Sequence, residues 1–308
     1  MNARHAILDE RDALLDRATE AMVEQNQTHP AIAEHAITFG DGLFGFLTRP
    51  PHNVAAGSEP RPTVLLLNAG LIHRSGPFRL HTHLARELAK AGHAVLRFDL
   101  PGVGDAAFDH ERAQSQIVVR IMDRLQRVVG SSGFIVGGIC SAADLGWRVA
   151  VADQRVRGVI LLDGVARKGF WFHVGQAQLF LRRSPRRWFG MLARRIAPAK
   201  TQLAARASDD DLREWPTIGH ERDELAQLVA RGTRVLALYT GGVATYFLHR
   251  RQFLASFGSA AQHPNVQFDF WPECDHLFMA AGDRVRLRRH IGNWCIREFA
   301  NADAEQSA

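Results

Sequence analysis

The stretch GFIVGGICSAADLGWRVAVAD, residues 133–153, decides how the rest of the chain is read. Phe134, Ile135 and Val136 form a short apolar run of strand formers. Gly137 and Gly138 follow, and Ser141 to Val151 then sets small and apolar residues at helical spacing. Strand, glycine-rich turn and helix in that order fit a nucleophile elbow of the form Gly-x-nucleophile-x-small. The slots hold Gly138, Ile139, Cys140, Ser141 and Ala142. Such an elbow strains its central residue, so the residues two positions away on either side must be small. Centring it on Ser141 would put Ile139 where a glycine is needed, so Cys140 takes the nucleophile slot. Taken alone, the stretch also reads as a small buried cysteine on a strand-to-helix turn of any α/β protein.

The flanks repeat the alternation. Thr63 to Asn68 reads as a strand buried on both faces. Phe78 to Ala91 reads as a helix closed by Gly92, Ala94 to Leu100 as a strand and Gln116 to Val129 as a helix. Val156 to Asp163, Arg234 to Tyr239 and Val266 to Trp271 are further strands, and a helix runs from about Asp283 to Phe299. Before this series, Ala36 to Thr48 reads as a hairpin around Gly40-Asp41-Gly42. The pattern predicts a mostly parallel, doubly wound sheet. Its core spans residues 31–163 and 233–302. Residues 1–30 form an amphipathic helical extension, 164–232 a strandless helical insertion suited to a lid, and 303–308 a tail.

Composition narrows the function. The 308 residues are 46% hydrophobic, enough to bury a full core. Three scattered cysteines suit neither a disulfide framework nor a zinc site, and fit a reducing cytoplasm. Acids interrupt the apolar residues of the N-terminus, so it does not read as a signal peptide, and no apolar run is long enough to span a membrane. The formal net charge is +6. Seven basic residues and no acid crowd Leu181 to Lys200, but no nucleic-acid-binding signature accompanies them, and nucleic acid is not expected as a partner. Gly102-Val103-Gly104 formally starts a dinucleotide fingerprint, yet a long polar stretch separates it from the next helix, so no helix N-terminus would hold a pyrophosphate. His81 and His83 lack acidic partners and read as solvated surface histidines rather than a metal pair. No metal or other cofactor is expected.

From about residue 36 to 299 the chain resembles the α/β-hydrolase superfamily, in the branch with a Gly-x-Cys-Ser-small elbow that includes hydrolases associated with exosortase systems. The resemblance is carried by residues 65–106 (LLLNAGLIHRSG through DLPGVGDA), the elbow GGICSAADLG, the strand VILLDG and the terminal WPECDHLF. It implies an α/β-hydrolase fold with a helical lid. It makes DLPGVGDA the family's Asp-x-x-Gly-x-Gly turn, which accounts for the glycines better than a nucleotide does. It also puts His276, after the last strand, in the place of the catalytic histidine. In most relatives the acid follows the penultimate strand, but here that strand runs into Thr240-Gly241-Gly242-Val243 with no carboxylate. Two readings stay open: Asp163, after the preceding strand, or a Cys–His dyad without an acid.

These residues predict acyl chemistry. Cys140 attacks a carbonyl while His276 moves the proton. The oxyanion is held by the backbone N–H of Ser141 and by one from the Gly70–Leu71 turn. Cysteine needs less help than serine, because an adjacent imidazolium and a helix N-terminus lower a thiol's pKa. The expectation is a cysteine-dependent esterase or thioesterase. An acyltransferase using the same site is the first alternative and a non-catalytic scaffold the second. Arg186 and Arg187, among aromatic residues of the insertion, are candidates to meet an anionic substrate such as an acyl group on CoA or on a carrier protein.

Overall fold

The computed structural model describes residues 32–51, 61–107, 112–181 and 219–299. They build one eight-stranded sheet, with β1 (Ala33–Gly40), β2 (Leu43–Arg49), β3 (Thr63–Leu66), β4 (Val95–Phe98), β5 (Phe134–Ile139), β6 (Val156–Leu162), β7 (Arg234–Thr240) and β8 (Val266–Trp271). The spatial order is β1-β2-β4-β3-β5-β6-β7-β8. The hairpin β1–β2 turns at Gly40, Asp41 and Gly42, all three at positive φ. It is antiparallel within itself and to β4, and every later pairing is parallel.

Alternate residues of the central strands feed two separate cores, as the period of two requires. Phe134 and Val136 of β5 and Val159 and Leu161 of β6 join one core. Ile135, Ile139, Ile160 and Leu162 join the other. Helices α2 (Gln114–Val129), α3 (Ser141–Ala152), α5 (Glu221–Ala230) and α6 (Arg251–Phe257) cover the first face. Helices α1 (Leu80–Lys90) and α7 (Ala281–Phe299) cover the second. The remaining helix, α4 (Phe170–Leu181), buries Phe172 and Gly175 while leaving Phe170 and Leu181 exposed. Among the described residues, no helix is long and apolar enough to cross a membrane.

Three sequence expectations change. The first helix starts two residues later than its periodicity suggests, because Phe78 and Arg79 both take positive φ and form a separate tight turn before Leu80. His81 is not solvated: its ring lies against Gly76, and burial, helped by the charge of Arg97, pushes its pKa down to about 4. Its neighbour His83 is exposed. In the 164–232 insertion, α5 sends Leu225, Leu228 and Val229 into the first core, so its residues belong to the layer flanking the sheet. Residues 1–30, 182–218 (with Arg186 and Arg187) and 303–308 lie outside the described residues.

Candidate active site

The elbow is built by close approach. Cys140 closes β5 and caps α3 with φ 59° and ψ −124°, a backbone conformation an L-residue holds only when its surroundings enforce it. Its N–H donates to Leu162 O of β6 at 2.8 Å, and its carbonyl accepts from Ala143 N at 2.9 Å. A Cβ at position 138 would lie 2.8 Å from that of Ala142, which is why both flanking positions are small. The side chain of Cys140 is half-buried at the C-terminal end of the sheet, where ligands of open α/β folds bind.

His276 follows β8, and Asp163 follows β6. Asp163 is fully buried with φ 53°. Its Oδ2 accepts from Thr240 Oγ1 at 2.7 Å and lies 2.8 Å from His276 Nδ1, and its Oδ1 accepts from Thr240 N at 2.6 Å. Tyr246 donates its hydroxyl to the Asp163 carbonyl at 2.7 Å, fixing the backbone there as well. Cys140 acts on the same imidazole, favouring its charged form. Burial opposes the imidazolium, but the interactions with Asp163 and Cys140 and the charges of both outweigh it, raising the His276 pKa to about 10. Asp163 and His276 thus form a hydrogen-bonded pair, and Cys140 acts on the imidazole of that pair.

The turn after β7 explains where the acid sits. Any side chain at Gly242 would collide with the backbone of His276, and one at Gly241 with the carbonyl of Pro272. That turn has no room for a side chain on these two residues. Thr240, just before them, instead donates two hydrogen bonds to Asp163.

The turn carrying Gly70 and Leu71 is pinned by polar groups that the sequence reading did not single out. Asn68 donates to Ile72 O at 2.8 Å and to Asp99 Oδ1 at 3.0 Å, and accepts from Leu100 N at 2.7 Å. The buried Asp99 also accepts from Arg74 N at 2.6 Å and pairs with the Arg74 guanidinium. Gly104 is a glycine because a side chain there would run into Asp99, not because a phosphate approaches. His73, Asp99 and Asp105 have the donor types of a cation site. Arg74 Nη1 supplies the positive charge there, contacting both carboxylates. The signal in the sequence was Asp99 itself, which opens DLPGVGDA. Gly70 N donates to Ser141 Oγ at 2.7 Å, joining the turn to the elbow.

The fold and this arrangement define an α/β hydrolase. The model of the alpha/beta hydrolase family matches residues 64–286, and the chain belongs to that family. Among solved structures it is similar to an esterase from Pyrococcus furiosus, with TM-score 0.54 and 12% identity over 87% of this chain and 90% of that one. It is also similar to a protein of unknown function from Agrobacterium tumefaciens, with TM-score 0.52 and 13% identity over 88% and 98%. A third, 2,6-dihydroxy-pseudo-oxynicotine hydrolase, has TM-score 0.50 and 16% identity over 88% and 68%. No curated protein matches the sequence. At these identities the likeness is one of fold.

Proposed function

We propose that the protein is a cysteine-dependent acyl hydrolase, an esterase or thioesterase that works through an acyl-cysteine. The observation that carries this reading is the 2.8 Å contact of Asp163 with His276 Nδ1, with Cys140 at a strained elbow acting electrostatically on the same imidazole. Cys140 as thiolate, beside the His276 imidazolium, adds to the acyl carbon and sends its electrons onto the carbonyl oxygen. The tetrahedral adduct collapses by breaking the bond to the leaving alkoxide or thiolate, which takes the proton from His276. The sulfur is then a neutral thioester, so its charge no longer raises the His276 pKa, and the imidazole becomes a base. It takes a proton from water as the hydroxide adds to the thioester. The C–S bond breaks, acid leaves, and the thiolate–imidazolium pair returns. Asp163 keeps Nδ1 protonated throughout, leaving Nε2 for the reacting groups.

The test is turnover of p-nitrophenyl esters and acyl thioesters, with mass spectrometry of quenched reactions. The expected result is an acyl adduct on Cys140 and loss of turnover in Cys140→Ala. An adduct on another residue, or an active Cys140→Ala enzyme, overturns the reading. Adding acceptor alcohols to the same assay separates hydrolysis from acyl transfer, since a transferase would divert the acyl group from water.

A further inference from the structure

We infer that the hydroxyl of Ser141 is itself an oxyanion donor, interposed between the Gly70 N–H and the substrate. The inference rests on the acyl-cysteine reading. In the simplest site of this fold the oxyanion is met by two backbone N–H groups, one after the nucleophile and one from the turn after β3. Here one of the two N–H groups that the Gly70–Leu71 turn offers is already engaged: Gly70 N donates to Ser141 Oγ at 2.7 Å, while Leu71 N stays available among the described residues.

The bond has a direction, and the direction matters. Gly70 N is a donor, so Oγ accepts through a lone pair and its own hydrogen must point elsewhere. Among the described residues no acceptor takes that hydrogen. Ser141 is also the first residue of α3, so its backbone N–H has no partner inside the helix. One residue therefore offers an N–H and an O–H side by side at a helix N-terminus, next to Cys140. On the Gly70 side the space is open, since nothing lies within 4 Å of where a Cβ would be. An oxyanion seated on Ser141 would take both hydrogens. Accepting from Gly70 N–H polarises the hydroxyl and makes it a better donor. An oxyanion roughly 2.7 Å beyond Oγ lies outside the reach of Gly70 N–H, so that group acts through the serine. Gly70 is a positioning residue and Ser141 the catalytic one.

The experiment compares Ser141→Ala, Ser141→Thr and Cys140→Ala in two measurements on the full chain. One is steady-state turnover of a p-nitrophenyl ester, and the other is the rate at which iodoacetamide alkylates Cys140. Alkylation displaces iodide and develops no oxyanion, so it reports the thiolate and the elbow alone. The expected result for Ser141→Ala is a kcat lower by about 10² with KM little changed, the cost of one oxyanion donor. Its alkylation rate should stay that of the wild type. Ser141→Thr, which keeps the hydroxyl, should recover most of the lost kcat. A wild-type kcat in Ser141→Ala overturns the inference. So does a parallel loss of turnover and alkylation, which would make Ser141 a prop for the elbow. Full turnover in Cys140→Ala marks a different failure, that of the acyl-cysteine reading.

Discussion

Asp163 Oδ2 lies 2.8 Å from His276 Nδ1, a contact made from the end of β6 and not from β7. The carboxylate accepts from Thr240 N, Thr240 Oγ1 and the imidazole, and is fully buried. Asp163→Asn would keep the volume but turn an N–H toward Nδ1, forcing the tautomer that leaves Nε2 protonated. We expect a native melting profile with kcat lower by at least about 10²-fold, toward the ~10⁴ that the same change costs a serine triad. Stopped-flow or steady-state ester turnover checks it. A variant with wild-type kcat would mean the site works as a Cys–His pair.

The three thiols should separate by reactivity. Cys140 is half-buried beside the His276 imidazolium. Burial, together with the carboxylates of Asp283 and Glu273, pushes Cys274 up to about 11. Cys295 is fully buried and pushed up further by that burial. Iodoacetamide at neutral pH, read by peptide mass spectrometry, should label Cys140 at least about ten-fold faster than either of the others. First labelling at Cys295 would contradict the elbow.

Much of this was legible in the residues. The strands announced themselves because the central ones are buried on both faces and read as unbroken apolar runs. The elbow did so because only small residues fit beside Cys140. The position of His276, after the last strand, was implied by the resemblance to the α/β hydrolases. What stayed hidden depends on contacts between distant segments. The empty turn after β7 shows as two glycines, but the reason, the backbone of His276 lying against Gly242, is tertiary. The bond from Gly70 to Ser141 joins residues 71 apart and leaves no periodic trace. His81 stands three, four and seven residues before Leu84, Ala85 and Leu88, so the helical period already turned it toward the buried face, against the reading of a solvated histidine pair. Helix α5 carries acids enough to read as part of an exposed insertion, yet Leu225 and Leu228 place it on the sheet.

The protonation of His276 gives a pH signature. With its pKa near 10, the imidazolium needed by the leaving group persists well above neutral pH, and acylation should fail only as pH rises through about 10. The pair's contribution to stability has the same sign: fully present below the unfolded value near 6.5, it is lost as pH rises through the folded one. Cys140→Ser reverses the kinetic requirement, because an alcohol needs a neutral imidazole to remove its proton. Its weak residual activity should therefore climb between pH 7 and 9, where the wild-type kcat/KM stays flat. Parallel profiles for the two enzymes would show that the resting site is not a thiolate–imidazolium pair.

We propose that Arg186 and Arg187 meet an anionic part of the substrate. They belong to a run of seven basic residues without an acid, interleaved with Trp188 and Phe189. A guanidinium pair of this kind suits phosphate groups, which CoA and the phosphopantetheine of a carrier protein both present. Reversing both charges (Arg186→Glu with Arg187→Glu) should raise KM for an acyl-CoA by at least about ten-fold. It should leave kcat and the kinetics of a neutral aryl ester near wild type, the pattern of lost ground-state binding. Added salt should weaken acyl-CoA binding in the wild type and have much less effect in the variant. The neutral ester serves as the internal control: if its KM rises as much as that of acyl-CoA, the change has disturbed the approach to the site for every substrate. If neither KM moves, the arginines face something other than the acyl donor, and the anionic-substrate reading falls.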